Sequence, residues 1–81
     1  MNETEIKYYE AGMLFSRING DICFVMRHKD GLYDLVIVHN YAYDNHSVEQ
    51  TDRYSSLKDL FINEHQEGEM EVDGEAVQID K

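Results

Sequence analysis

Large apolar residues crowd into one stretch of the chain, Met13 to Tyr43, as short runs cut by turns. MLFSRI is followed by Asn19-Gly20, DICFVMRHK by Asp30-Gly31, and LYDLVIVHNYAY closes the stretch. Asn-Gly and Asp-Gly are strong hairpin signals, because a type I′ turn needs positive φ at both central residues. The stretch is predicted to be a three-stranded antiparallel meander.

A two-residue turn at Asn19-Gly20 sets Arg17 opposite Ile22, Phe15 opposite Phe24 and Met13 opposite Met26. The same turn at Asp30-Gly31 sets Arg27 opposite Asp34 and Phe24 opposite Ile37. A three-residue turn starting at Lys29 is the alternative, and it would exchange the faces of the third strand. In the two-residue register one face carries Met13, Phe15, Ile22, Phe24, Met26, Leu35 and Ile37. The other carries Leu14, Cys23, Val25, Val36 and Val38, with Ser16 and Asn40 among them. A sheet with one wet face alternates cleanly between apolar and polar. Here both faces are apolar, so the face of Val25, Val36 and Val38 is expected to meet the C-terminal hairpin, the N-terminal segment or a second copy in a homodimer.

Downstream the period changes. Tyr54, Leu57, Leu60 and Phe61, with Glu64 or His65, lie along one face of a helix. Ser55 or Ser56 suits its N-cap, and Gly68 its end. A helix over Ser56–Gln66 is predicted to pack on the Phe15/Phe24 face. The final segment, EMEV, Asp73-Gly74, EAVQI, reads as another hairpin. The fold class is therefore α+β: a three-stranded antiparallel meander packed by one helix, with a C-terminal hairpin, in the order βββαββ. The 45–52 stretch is polar and reads as a connection. Eighty-one residues suit a single domain, 1–81, with 1–11 expected as a mobile N-terminal segment.

Charge changes the picture more than size does. Seventeen Asp and Glu face seven Lys and Arg, a formal net charge of −10. Nucleic-acid binders take much of their affinity from basic patches on phosphates, so no direct nucleic acid is expected as a partner, nor an anionic membrane. No apolar run is long enough to span a bilayer, and the acidic start has no signal-peptide core. A lone cysteine, Cys23, suits a reducing compartment, so a cytoplasmic protein is expected.

Candidate chemistry is sparse. His28, His39, His46 and His65 lack the paired spacing of metal ligands. Glu69-x-Glu71-x-Asp73-Gly74 resembles the opening of an EF-hand loop, but it has Glu where Asp or Asn is usual and reads better as a hairpin. Cys23 lies mid-strand and Ser55 and Ser56 are better placed as helix caps, so no nucleophile stands beside a base. No catalysis and no cofactor are expected.

The placement of the acids carries the functional expectation. From Asp59 to the last residue there are eight carboxylates and one cation, Lys81, and five of the acids fall on alternate positions 67–75. Alternate residues of a strand point the same way at roughly 6.6–6.8 Å intervals. A half-buried strand alternates polar residues for structural reasons alone, but that does not account for the scarcity of lysine. In size, charge and element order the chain resembles the acidic nucleic-acid mimics and inhibitors of phages and mobile elements, of the anti-CRISPR and anti-restriction type. That resemblance rests on no family motif and transfers no residue role. It implies a small acidic inhibitor that occupies the phosphate-binding surface of a basic nucleic-acid-handling protein. The expected protein-binding residues are Glu69, Glu71, Asp73 and Glu75, flanked by Asp59 and Glu64, with Tyr41, Tyr43 or Tyr54 as aromatic anchors. The competing expectation is a non-catalytic structural or interaction module, a homodimer or a subunit of a larger assembly.

Overall fold

A computed structural model describes residues 5–39 and 47–72. The elements are β1 (Leu14–Ser16), β2 (Ile22–Arg27), β3 (Tyr33–His39), β4 (Ser47–Gln50), α1 (Leu57–Glu64) and β5 (Met70–Glu71). All strand pairings are antiparallel, and the sheet order is β4-β3-β2-β1-β5. The α+β class and the meander are as the apolar pattern predicts. The strand arrangement is not.

Both meander turns are one residue longer than predicted. Arg17 and Asp21 flank a three-residue loop, with Arg17 N donating to Asp21 O at 2.9 Å, and His28 and Leu32 flank the next at 2.8 Å. Each turn is fastened by a side chain. Asn19 Oδ1 accepts from Asp21 N, and Asp30 Oδ1 from Leu32 N, both at 3.0 Å. The left-handed position falls on Gly20 (φ 95°) and Gly31 (φ 85°). This is the three-residue hairpin loop that ends in a glycine bulge. Two slips of one residue cancel between β1 and β3, so only β2 turns over. Phe15 pairs with Cys23, Cys23 with Ile37, and Val25 with Leu35. Met26, not Arg27, lies opposite Asp34, whose carboxylate meets His28 Nε2 at 2.9 Å.

The core is built on the face of Phe15, Cys23, Val25, Leu35 and Ile37, closed by Ile6, Tyr9 and Leu60. Val25 is therefore a core residue and not a docking residue. Ile22, Phe24 and Met26 join Val36 and Val38 on the opposite face, half-buried. The N-terminal segment, expected to be mobile, supplies Ile6 and Tyr9 to the core, and Ile6 N donates to Glu69 O at 2.9 Å.

Ser56 caps α1, its hydroxyl accepting from Asp59 N at 3.0 Å. Tyr54, Leu57, Leu60 and Phe61 face the sheet as the period predicts. The helix ends at Glu64, two residues short of prediction, because Gln66 N donates to the Glu69 carboxylate at 3.1 Å instead of to a helix carbonyl. The polar stretch 45–52 contains a strand, β4, in place of the expected connection. One apolar residue, Val48, aligned with Val38, is too little for a strand period to show. β5 pairs with β1 at the far edge, and the predicted turn Asp73-Gly74 lies outside the described residues.

Candidate protein-binding surface

The register sets a row of polar side chains across the helix face, at the end of the sheet where the β1–β2 turn lies. Phe15 pairs with Glu71 and Ser16 with Met70, so Arg17 and Glu69 are the next neighbours. Glu69 is fully buried. Its two oxygens accept from Tyr9 Oη (2.7 Å), Arg17 Nε (2.8 Å), Gln66 N (3.1 Å) and His65 Nδ1 (3.0 Å, as the N–H tautomer). Arg17 Nη2 also donates to Glu64 O at 2.9 Å, tying β1 to the helix end. Tyr9 stacks on Phe15 and meets Phe61 edge-on, and Phe61 stacks on His65. Burial, with the bond to Glu69 next, raises the Tyr9 phenol far above its ordinary range. Burial also pushes the Cys23 thiol up to about 12, so it is no nucleophile in the folded chain.

Further along the row, His39 Nδ1 lies 2.8 Å from Asp21 Oδ2, and its Nε2 lies 2.7 Å from Glu49 Oε1. Among the described residues no cluster of three or more His, Cys, Asp or Glu side chains is arranged to hold a metal ion.

The cations segregate. Arg27, Lys29 and Arg53 lie around the β2–β3 turn, where Arg53 Nη1 meets Asp30 Oδ2 at 3.0 Å. The Leu32 amide and the Arg53 guanidinium together hold the Asp30 carboxyl below the usual range. Lys7 and Lys58 share a groove of about 230 Å³ with Tyr8, Tyr9, Leu57 and Phe61. The β1–β2 turn end has Arg17, whose charge is matched by Glu69. Exposed Glu67 and Glu49 stand there, beside half-buried Glu5 and Glu64. At its tip is Ile18, 80% exposed and reaching over Gly68.

The residues expected to bind a partner divide accordingly. Asp59 and Glu71 are exposed. Glu64 is half-buried, its Oε2 accepting from Tyr54 Oη at 2.7 Å, a bond that pushes the Tyr54 phenol up to about 12. Tyr54 is thus engaged inside the molecule rather than protruding. Glu69 is corrected outright: the register of β5 with β1 sets this residue, next before β5, beside Arg17 and under the helix end, so its carboxylate is an internal staple. Asp73, Glu75, Tyr41 and Tyr43 lie outside the described residues. Sequence reasoning missed Ile18, because a two-residue turn makes it the last strand residue instead of the turn tip. The chain matches no protein-family model, and no curated protein or solved structure is detectably similar to it.

Proposed function

We propose that this protein is a small non-catalytic binding module that docks its acidic β1–β2 turn end onto a basic patch of a partner protein. The observation that carries the proposal is the pairing of exposed Ile18 with an end whose one arginine is already committed to Glu69. Carboxylates alone steer association and weaken with salt, while an apolar side chain in a pocket supplies the anchor. Glu5, Glu49, Glu64 and Glu67 are the acids of this surface, with exposed Glu71 on its flank opposite Phe15, and Ile18 is its centre. A partner that ordinarily holds phosphates would be inhibited by competition, since its Lys and Arg side chains cannot serve both ligands.

The test is capture of nucleic-acid-handling proteins from a host lysate by the wild type, Ile18→Ser, Glu67→Lys/Glu71→Lys and Glu10→Lys/Asp52→Lys. The last two change net charge equally but lie in different parts of the chain, Glu67 and Glu71 at the β1–β2 turn end and its flank, Glu10 and Asp52 in other loops. Ile18→Ser and Glu67→Lys/Glu71→Lys should lose the partner, while Glu10→Lys/Asp52→Lys keeps it. Equal loss in both charge variants would reduce the effect to net charge, and equal capture by all four folded proteins would end the proposal.

A second reading has its own support. Ile22, Phe24, Met26, Val36 and Val38 are half-buried on the face away from the helix, continuous with Val48 at 62% exposure. Such a face suits a homodimer or a subunit contact. Sedimentation at micromolar concentration should then show a dimer that Val48→Lys weakens. A monomer throughout that range would argue against it.

A further inference from the structure

His39 stands between two carboxylates: Asp21, which closes the β1–β2 turn just before β2, at 2.8 Å, and Glu49 of β4 at 2.7 Å, one at each ring nitrogen. A neutral imidazole has one N–H and one lone pair, so it donates to one of them only. Its other nitrogen would then aim a lone pair at a carboxylate oxygen. The imidazolium alone donates both ways. β4 is an edge strand with all four side chains exposed, so little apolar burial holds it. We infer that His39 is a proton-operated latch, whose imidazolium fastens the edge strand β4 to the sheet and whose deprotonation loosens it.

The groups facing His39 favour the proton. From the β1–β2 turn comes Asp21, itself held by Asn19 Nδ2 at 3.1 Å. From β4 come Glu49 and the neutral Ser47, which is paired opposite His39. Just after β1, the next charge in the row is Arg17, engaged by Glu69, next before β5. Among the described residues no lysine or arginine is ion-paired with Asp21 or Glu49. The bond to Glu49, and after it the bond and charge of Asp21, raise His39 above its ordinary value. A raised histidine contributes its full stabilisation below its unfolded value of about 6.5 and loses it as pH rises through the folded one. The latch is therefore closed in mild acid and opens on the alkaline side. It does not depend on the docking proposal, since it concerns the attachment of β4 and no partner.

The experiment is an NMR titration of the His39 ring with amide-exchange protection factors over Ser47–Thr51, where Thr51 N donates to Leu35 O at 3.0 Å. Wild type and Glu49→Gln are compared, the latter a mostly exposed position that leaves folding intact, as circular dichroism would verify. The wild-type ring should carry protons on both nitrogens near pH 6.5 and titrate above the ordinary histidine midpoint. Protection over Ser47–Thr51 should fall by about threefold or more through that midpoint. Glu49→Gln should lower the midpoint and flatten the pH dependence of protection. A wild-type midpoint at or below the ordinary value overturns the inference. So does protection that ignores the titration, which would leave His39 a surface ion pair without a mechanical role.

Discussion

Glu69 shows how far one side chain can depart from what its neighbours in sequence suggest. Among alternating acids it looks like one surface charge of several, yet it is fully buried and accepts from four donors. Removing one member of such a set leaves buried, uncompensated donors, above all the Arg17 guanidinium. Glu69→Ala should cost about 3–5 kcal/mol in urea unfolding. Glu71→Gln, two residues on and exposed, should stay within about 0.5 kcal/mol. Similar costs for the two would mean that Glu69 is not internal. The turned-over β2 gives a second contrast. Phe15→Ala, in the core, should cost about 3–5 kcal/mol, whereas Phe24→Ala, on the half-exposed face, should cost about 1–2 kcal/mol. The reverse order would restore the two-residue register.

At the scale of elements, the turns decide the sheet. Asn19 and Asp30 each use a side-chain oxygen to catch the amide two residues on, and the glycine that follows takes the left-handed position. A Cβ built on Gly31 meets nothing within 4 Å, so a substitution there is strained by the backbone alone. Gly31→Ala should destabilise by about 1–2 kcal/mol, and Gly31→Asn by less, because Asn tolerates that region. Equal losses would point to a contact at Gly31 instead of a conformational demand. The helix end has a related origin: the chain leaves α1 where the Glu69 carboxylate claims the Gln66 amide, ahead of the glycine that the sequence offers as a stop.

Across the whole molecule the net charge of −10 sets a repulsion that salt relieves. At moderate ionic strength the Debye length shrinks to about 8–10 Å, enough to screen exposed acids from one another but not the buried Arg17–Glu69 pair. The melting temperature should therefore rise with NaCl from low ionic strength to about 0.2 M. A steady fall would show that exposed pairs such as Arg53–Asp30 outweigh the repulsion.

The features legible in the sequence were those set by neighbours along the chain. Apolar runs between Asn-Gly and Asp-Gly made a meander, the Leu57–Leu60–Phe61 spacing after Ser56 made a capped helix, and the scarcity of lysine beyond Asp59 made an acidic third. The face of β2 was not legible, because its residues are apolar on both sides and either register buries a hydrophobic set. A one-residue difference in turn length is nearly silent in local energy, so the choice fell to packing against Tyr9 and Leu60. β4, with Val48 as its one apolar residue, exists because the edge of β3 offers it hydrogen bonds. The burial of Glu69 required β5 to reach β1 from more than fifty residues away in sequence, and with it came the bare acidic end that exposes Ile18. Local sterics and periodicity belong to the sequence, while the faces, edges and buried charges were settled by pairings between segments that the chain brings together only when it folds.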